Sequence, residues 1–352
     1  TVWAWGNNAD GKLGVGLSQT LLTAPVQLTS YKATYDGALI DGFGNIVRVV
    51  SGDDFTMALD AEGKYIYTWG DNSSGQLGYS TAELTHSDVP VRVEIPLTGN
   101  TRLVSIAAGA NHAMALASDG TVWTWGDNSY DQLGRDVALI PASTPGQMRG
   151  FSSGVLDSVI DVAGAGATTA VLLTNGTVWT VGSNAFGELG IGVHNAQDGG
   201  IDKSSELVRV MKSATTAYGE GEEIVDINRL IGRGHNFAMI TEEKEVYTWG
   251  DNYNRQIGTS TWYQSDVAGG EMTDLKHDYA INPVLVRTAD GQPLRKIIDV
   301  SIGGTGNSDR ATATANGEGV QMLAVGMDVE WTNINNTITI PSRTYYTYGW
   351  GD

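Results

Sequence analysis

Histidine residues could provide metal ligands or acid–base groups in this sequence. The chain has five of them and no cysteine, so disulfides, thiolate nucleophiles and cysteine-type zinc sites are excluded. His86, His194 and His277 each lack a second ligand three or four residues away, the spacing that many metal sites use. His112 and His235 fall at or beside the same position of a repeated segment, where we expect a structural hydrogen bond. The histidines therefore predict neither a metal site nor an acid–base site.

Paired Asp and Asn residues form a second set. They recur at Asp71-Asn72, Asp127-Asn128 and Asp251-Asn252, with Asn7-Asn8 and Ser183-Asn184 in register. Oxygen-rich turns can bind calcium, but the twelve-residue D-x-D-x-D-G loop is missing. Because the pairs recur with the repeat, we expect Asx turns, with calcium as the alternative. No spacing among the 40 acidic residues selects a glycosidase pair. We predict no catalytic residue, no cofactor and no obligatory small-molecule ligand.

One segment that contains these pairs occurs five times. It reads TVWAWGNNADGKLG over 1–14 and returns at 65–78, 121–134, 177–190 and 245–258. A second block, such as IAAGANHAMALASDG over 106–120, precedes the later copies. The aligned positions are 64, 56, 56 and 68 residues apart, and the extra length always follows a Leu-Gly or Ile-Gly pair. Variable insertions on a fixed frame are typical of repeat folds that carry loops on one face.

Each repeat has the pattern of short β-strands. Ala113–Leu116 is an apolar run bounded by glycine, and Thr121–Trp125 alternates β-branched and aromatic residues. Ser118-Asp119-Gly120 between them predicts a hairpin turn. We therefore expect antiparallel four-stranded units with almost no helix. The repeated tryptophans should fill the core between these units: Trp5, Trp69, Trp125 and Trp249.

The repeat resembles that of the RCC1-like β-propeller family. The motif is W-G-x-N-x-x-G-x-L-G, preceded by A-A-G-x-x-H-x-x-A-L, as in Trp125–Asn128 with Gln132–Gly134. The resemblance implies an all-β propeller of six to seven four-stranded antiparallel blades, which form a single domain over 1–352. It also implies that the chain is a bacterial-type member of the family. Five repeats are clear, and a sixth over 297–352 is degenerate. Aligning that sixth copy on Thr337–Ile340 through Tyr348-Gly349 makes 305–336 an insertion. The competing alignment uses Ala315–Gly317 through Ala324–Gly326.

The two ends of the sequence fall at the same phase of the repeat. This predicts either a window from a longer chain or a ring that closes by pairing its terminal strands.

Charge and motif content narrow the function that the resemblance implies. A net charge of −19 opposes nucleic-acid binding, which depends on Lys and Arg. No apolar run is long enough to span a bilayer. The family's nucleotide-exchange loops and its Gly-Trp-Arg-His-Thr receptor motif have no match here. Secreted bacterial relatives that clamp a protein fit best, so we expect a non-enzymatic protein-binding scaffold, extracellular or on the cell surface. The alternatives are a structural module of a larger surface or filament protein and a polysaccharide-acting enzyme.

Aromatic residues at variable positions are the candidate contacts for a protein partner or a neighbouring subunit. Tyr130 and Phe186 occupy the same turn position, and Tyr253 lies one position earlier in its own copy. Trp262 and Tyr263 lie in the longest insertion. Exposed aromatic side chains are favoured interface anchors. Local packing over the end of a blade is the alternative role for all five.

Overall fold

The computed structural model describes residues 1–16, 18–150, 156, 158–193, 200–214, 221–252, 256–258, 279–303, 321–330 and 342–351. Within these ranges the chain forms β-strands, with a single 3₁₀ turn at Ala9–Gly11 and no α-helix. The prediction of an all-β fold is confirmed.

The strands in chain order are β1 (Val2–Asn7), β2 (Leu21–Leu28), β3 (Ser30–Lys32), β4 (Leu39–Asp41), β5 (Ile46–Ser51), β6 (Phe55–Asp60), β7 (Ile66–Asp71), β8 (His86–Val93), β9 (Leu103–Ala108), β10 (His112–Ala117), β11 (Val122–Gly126), β12 (Gly146–Gln147), β13 (Val159–Ala165), β14 (Thr168–Leu173), β15 (Val178–Ser183), β16 (Lys203–Arg209), β17 (Met211–Ala214), β18 (Gly221–Glu223), β19 (Ile227–Arg233), β20 (Asn236–Thr241), β21 (Val246–Asp251), β22 (Tyr279–Leu285), β23 (Ile297–Gly303), β24 (Gln321–Glu330) and β25 (Ser342–Gly351).

Four groups of strands share one order, in which chain neighbours are also sheet neighbours. They are β5–β8, β9–β12, β13–β16 and β19–β22. In each group a short hairpin joins the second strand to the third, and we call this end of a sheet the hairpin rim. The Asx-containing segment leaves the third strand at the opposite end, which we call the turn rim. The repeat unit predicted from the sequence is thus one antiparallel four-stranded sheet.

The first insertion extends a sheet instead of standing free of it. Strands β3 and β4 form a hairpin, and β3 pairs in parallel with β8 through Lys32 and Val91. Phe43 is buried, and its ring centroid lies 5.2 Å from that of Tyr67 in an edge-on contact. Tyr31 approaches Tyr67 in the same way at 5.2 Å. This insertion therefore packs on the second repeat through aromatic contacts.

Three of the four repeated tryptophans are core residues, as predicted. Trp69, Trp125 and Trp249 are at most 2% exposed. Each indole N–H donates to a backbone carbonyl of the preceding repeat: to Lys12 at 2.9 Å, Gln76 at 3.0 Å and Glu188 at 2.8 Å respectively. A buried Trp N–H needs such a partner, so this bond ties successive repeats together.

The prediction that Trp5 is buried is wrong, since its side chain is 61% exposed. Among the described strands, β1 pairs with β2 alone, whereas β7, β11 and β21 each have a partner on both sides. The three buried indoles each donate to the repeat that precedes theirs. Strand β1 belongs to the first copy, and among the described residues Trp5 has no such acceptor.

The degenerate sixth repeat forms the three-stranded sheet β23–β24–β25. Residues 321–330, which fall inside the expected insertion at 305–336, are strand β24 and pair with both neighbours. The remainder of that range lies outside the described residues.

By its internal contacts the chain divides into two compact units. Unit 1 comprises residues 1–174, 179–184 and 202–208, and unit 2 comprises 175–178, 185–201 and 209–352. Unit 1 contains clusters built around Trp69, Trp125 and Met114. Unit 2 contains a cluster around Ile240 and Ile297. Each unit is therefore organised around its own apolar core.

Candidate protein-interaction surface

The Asp-Asn pairs act as Asx turns. In the third copy, Asn128 Oδ1 accepts a hydrogen bond from Leu133 N at 3.0 Å, and Asp127 Oδ1 accepts one from Ser129 N at 3.0 Å. The same bond joins Asn72 Oδ1 to Leu77 N at 2.8 Å. The side-chain oxygens thus satisfy backbone N–H groups of the turn, which confirms the structural interpretation. Within the described ranges, no group of three or more His, Asp or Glu side chains is arranged to hold a metal ion.

Tyr130 is presented to solvent from a turn that is held rigidly. Gln132 Oε1 accepts a hydrogen bond from Tyr130 N at 2.9 Å, while Gln132 Nε2 donates to Asp127 Oδ2 at 2.9 Å. Gln132 itself is buried, and the Tyr130 side chain is 44% exposed. The buried amide therefore fixes the backbone under the aromatic ring without covering the ring.

Phe186 occupies the same turn position but packs locally. Its ring centroid lies 4.4 Å from that of His235, and its backbone N donates to Glu188 Oε2 at 2.7 Å. Glu188 is buried, and its Oε1 lies 2.9 Å from His235 Nδ1. Glu188 takes the place that Gln132 has in the preceding copy, and His235 supplies its partner. Phe186 is therefore half-buried in this cluster. Tyr253, Trp262 and Tyr263 lie outside the described residues.

A second surface element at the turn rim, the loop 136–145, is anchored by Arg135. The guanidinium donates to four carbonyls of the loop, those of Ile140 at 2.7 Å, Pro141 at 3.1 Å, Ala142 at 3.4 Å and Thr144 at 2.7 Å, and to Thr124 O at 3.1 Å. Burial lowers the pKa of Arg135 to about 10. Leu139, at the outer part of this loop, is 77% exposed. The loop thus displays an apolar side chain on a fixed backbone, a feature that sequence inspection for aromatic residues missed.

The neighbouring sheet also constrains the turn rim. Gly75 has φ +79°, and a Cβ placed there would lie 2.4 Å from the Cβ of Ser143. Asp131 occupies the equivalent position one repeat later, with φ +65°, and its Oδ2 lies 2.7 Å from Lys203 Nζ. An ion pair there replaces the close backbone approach that only glycine allows.

The inner-block histidine forms a structural hydrogen bond, as predicted. His112 is fully buried, and its Nε2 lies 2.9 Å from Thr169 Oγ1. Thr169 Oγ1 also donates to Gln132 O at 2.8 Å. In the repeats that bury a tryptophan, the equivalent carbonyl accepts the indole N–H of that residue. In this repeat Val181 occupies the tryptophan position, and the Thr169 hydroxyl donates to the carbonyl instead. Burial lowers the pKa of His112 to about 4, so the ring is neutral.

The repeated four-stranded sheets and the exposed loops at their ends define a β-propeller of the kind that serves as a protein-interaction scaffold. Two solved structures share this fold. Human WBSCR16 is similar with a TM-score of 0.64 and 16% identity, over 97% of this chain and 77% of that one. Prp20p from Saccharomyces cerevisiae is similar with a TM-score of 0.53 and 16% identity, over 97% of this chain and 85% of that one.

The family model of the RCC1-like domain matches residues 1–329, and the chain belongs to this family. It is 29% identical over 265 residues to the human E3 ubiquitin-protein ligase HERC2, which covers 74% of this chain and 5% of that protein. It is 26% identical over 306 residues to the ultraviolet-B receptor UVR8 of Arabidopsis thaliana. That match covers 86% of this chain and 58% of the receptor.

The chain thus spans less than two thirds of the length of these relatives. Both are eukaryotic, so they lend no support to the expected bacterial-type assignment. Among the described residues no helix is long and apolar enough to cross a membrane.

Proposed function

We propose that this chain is a non-enzymatic protein-binding scaffold that works outside the cell or on its surface and holds its partner at the turn rim of unit 1. The observation that carries the proposal is the exposed Tyr130 on a turn that Gln132 fixes from beneath. Leu139 adds an exposed aliphatic side chain on the loop that Arg135 pins. Rigid backbones reduce the entropy lost on binding, which favours both elements as anchors.

Charge supports a partner that is basic or amphipathic. The chain carries 40 acidic and 21 basic residues. Asp127 lies in the turn that carries Tyr130, whereas Asp131 and Asp136 form ion pairs with Lys203 and Arg149. Complementary charge raises the rate of encounter with a basic partner. Prp20p, the yeast protein of similar fold, binds Gsp1p and histones, which gives a precedent for protein ligands on this scaffold.

The test compares binding by the two rims. Immobilised protein should retain a partner from surface or medium extracts of the source cells, and titration calorimetry with the purified partner then gives its affinity. We expect the double variant Tyr130→Ala, Leu139→Asp to weaken that affinity at least about tenfold. The control Val104→Asp, an exposed apolar site at the hairpin rim, should leave it unchanged. Equal affinity of the double variant and the wild-type protein contradicts the proposal.

A second function is supported by the lengths of the relatives. The matched region is 5% of HERC2 and 58% of UVR8, so this fold occurs within longer proteins. We propose as the alternative that the chain is a structural module of a larger surface or filament protein. Intact-mass measurement of the natural product separates the two ideas, since a mass well above 37.3 kDa supports the module. Fractionation of the source cells tests the location, and recovery of the protein only from the cytosol contradicts it.

A further inference from the structure

Every first strand of the described repeats carries a bulge at its second residue. The ladder to the second strand skips one residue at this point in β5, β9, β13, β19 and β23. The skipped residues are Val47, Val104, Ile160, Asn228 and Ile298. A bulged residue leaves the regular pairing, and bulges often redirect a side chain for a specific use.

Four of these five positions hold exposed β-branched aliphatic side chains. Val47 is 65% exposed, Val104 47%, Ile160 51% and Ile298 37%. A single exposed aliphatic residue needs no explanation. Here an aliphatic side chain is exposed at the same position in four of the five repeats. Packing within a sheet does not explain this pattern, because the side chains are outside the core.

Three of these residues lie on one continuous rim of unit 1. Val104 follows Leu103, whose N donates to Gly63 O in the hairpin of the preceding sheet at 2.7 Å. Ile160 follows Val159, whose N donates to Gly120 O at 3.3 Å. Each hairpin therefore holds the start of the next sheet, and packed sheets are about 10 Å apart. Val47, Val104 and Ile160 are thus spread over about 20 Å of the hairpin rim.

The charges on this rim are balanced, unlike those of the whole chain. Exposed Arg48, Lys64 and Arg102 stand beside exposed Glu62 and Asp119, and half-buried Asp161 follows Ile160. The chain as a whole has a net charge of −19, so two copies repel each other over most of their surface. The hairpin rim of unit 1 is a place where a second copy can approach without that repulsion.

We infer that the hairpin rim of unit 1 is a homotypic interface, at which a second copy of this chain docks through Val47, Val104 and Ile160. A two-fold arrangement brings the same patch of both copies together. It allows Arg102 of one copy to face Glu62 or Asp119 of the other, so the patch is complementary to itself. The aliphatic side chains are covered at the centre, and the charges form the polar periphery that such interfaces have. This surface is separate from the turn rim and does not depend on partner binding there.

Sedimentation equilibrium of the whole chain tests this inference over a concentration range of about 1 to 500 µM. We expect a monomer–dimer equilibrium, and Val104→Asp should raise its dissociation constant at least about tenfold because it buries an unpaired charge. Val47→Asp, at the most exposed of the three sites, should have the same effect with little risk to folding. Leu139→Asp is the matched control, an equally drastic change at the turn rim, and should leave the dimer intact.

Two results overturn the inference. One is a wild-type protein that stays monomeric over the whole range. The other is a dimer that persists in both the Val47→Asp and the Val104→Asp variants, or one that dissociates in the Leu139→Asp variant. In either case self-association uses another surface. Circular dichroism of each variant establishes that the fold is retained.

Discussion

Acidification should destabilise the protein through the buried, neutral ring of His112. The ring is fully buried, and its burial lowers the pKa to about 4 from an ordinary value of 6.5. Between these two values the unfolded chain binds a proton that the folded chain does not bind. The contribution of the neutral ring to stability is therefore complete above about pH 6.5 and is lost as the pH falls toward about 4.

The size of this loss follows from the difference between the two pKa values. It amounts to about 3 kcal/mol when the ring is protonated in both states, and about 2 kcal/mol is already lost by about pH 5. This is a large share of the stability of an ordinary domain.

The assay is guanidinium unfolding, followed by tryptophan fluorescence at about pH 7.5 and about pH 5. The matched variant is His112→Asn, since Asn236 occupies the equivalent position in β20. We expect His112→Asn to be less stable at neutral pH but to lose about 2 kcal/mol less on acidification than the wild-type protein. His86, His235 and the carboxylates are common to both proteins, so the comparison isolates His112. Equal losses in the two proteins refute the assignment of His112 as a buried neutral ring.

Three further substitutions test the separate roles of core, turn and loop. Trp125→Ala should lower the free energy of unfolding by about 3–5 kcal/mol, because it removes a buried ring and the bond to Gln76 O. Trp5→Ala should lower it by under about 1 kcal/mol, because that ring is mostly exposed. Similar denaturation midpoints for the two variants contradict the assignment of Trp125 to the core. Asp127→Ala should cost about 1 kcal/mol, since it removes hydrogen bonds at a partly exposed turn, and a loss as large as that of Trp125→Ala argues against this role. Arg135→Ala should free the loop 136–145, which limited chymotrypsin digestion detects as new cleavage beside Leu139; unchanged resistance shows that the guanidinium does not hold the loop.

The repeating part of the fold could be predicted from the sequence because its determinants are local. The bond from Leu133 N to Asn128 Oδ1 spans only five residues, and the alternating strand of Thr121–Trp125 is visible within a single copy. The indole of Trp125 needs a partner in the preceding repeat, and repetition supplies one in each later copy. The prediction for Trp5 was wrong because the indole partner comes from the preceding repeat, which the motif itself does not reveal.

The surface features were harder to predict because they depend on contacts between distant segments. Phe186 and Tyr130 hold the same turn position, yet Phe186 packs on His235, which lies 49 residues further along the sequence. The first insertion packs on β7 through Phe43, so length variation alone does not identify a binding loop. The bulge residues look like ordinary strand residues in sequence, and only the pairing register separates Val104 from buried Leu103.

Hydrogen–deuterium exchange of the complex with its captured partner is the most direct test of binding at the turn rim. We expect binding to slow exchange in 129–145, which contains Tyr130 and Leu139, while the third strands around Trp69 and Trp125 exchange slowly in both the free and the bound protein. Protection that leaves 129–145 unchanged and falls elsewhere on the chain contradicts a binding function at the turn rim.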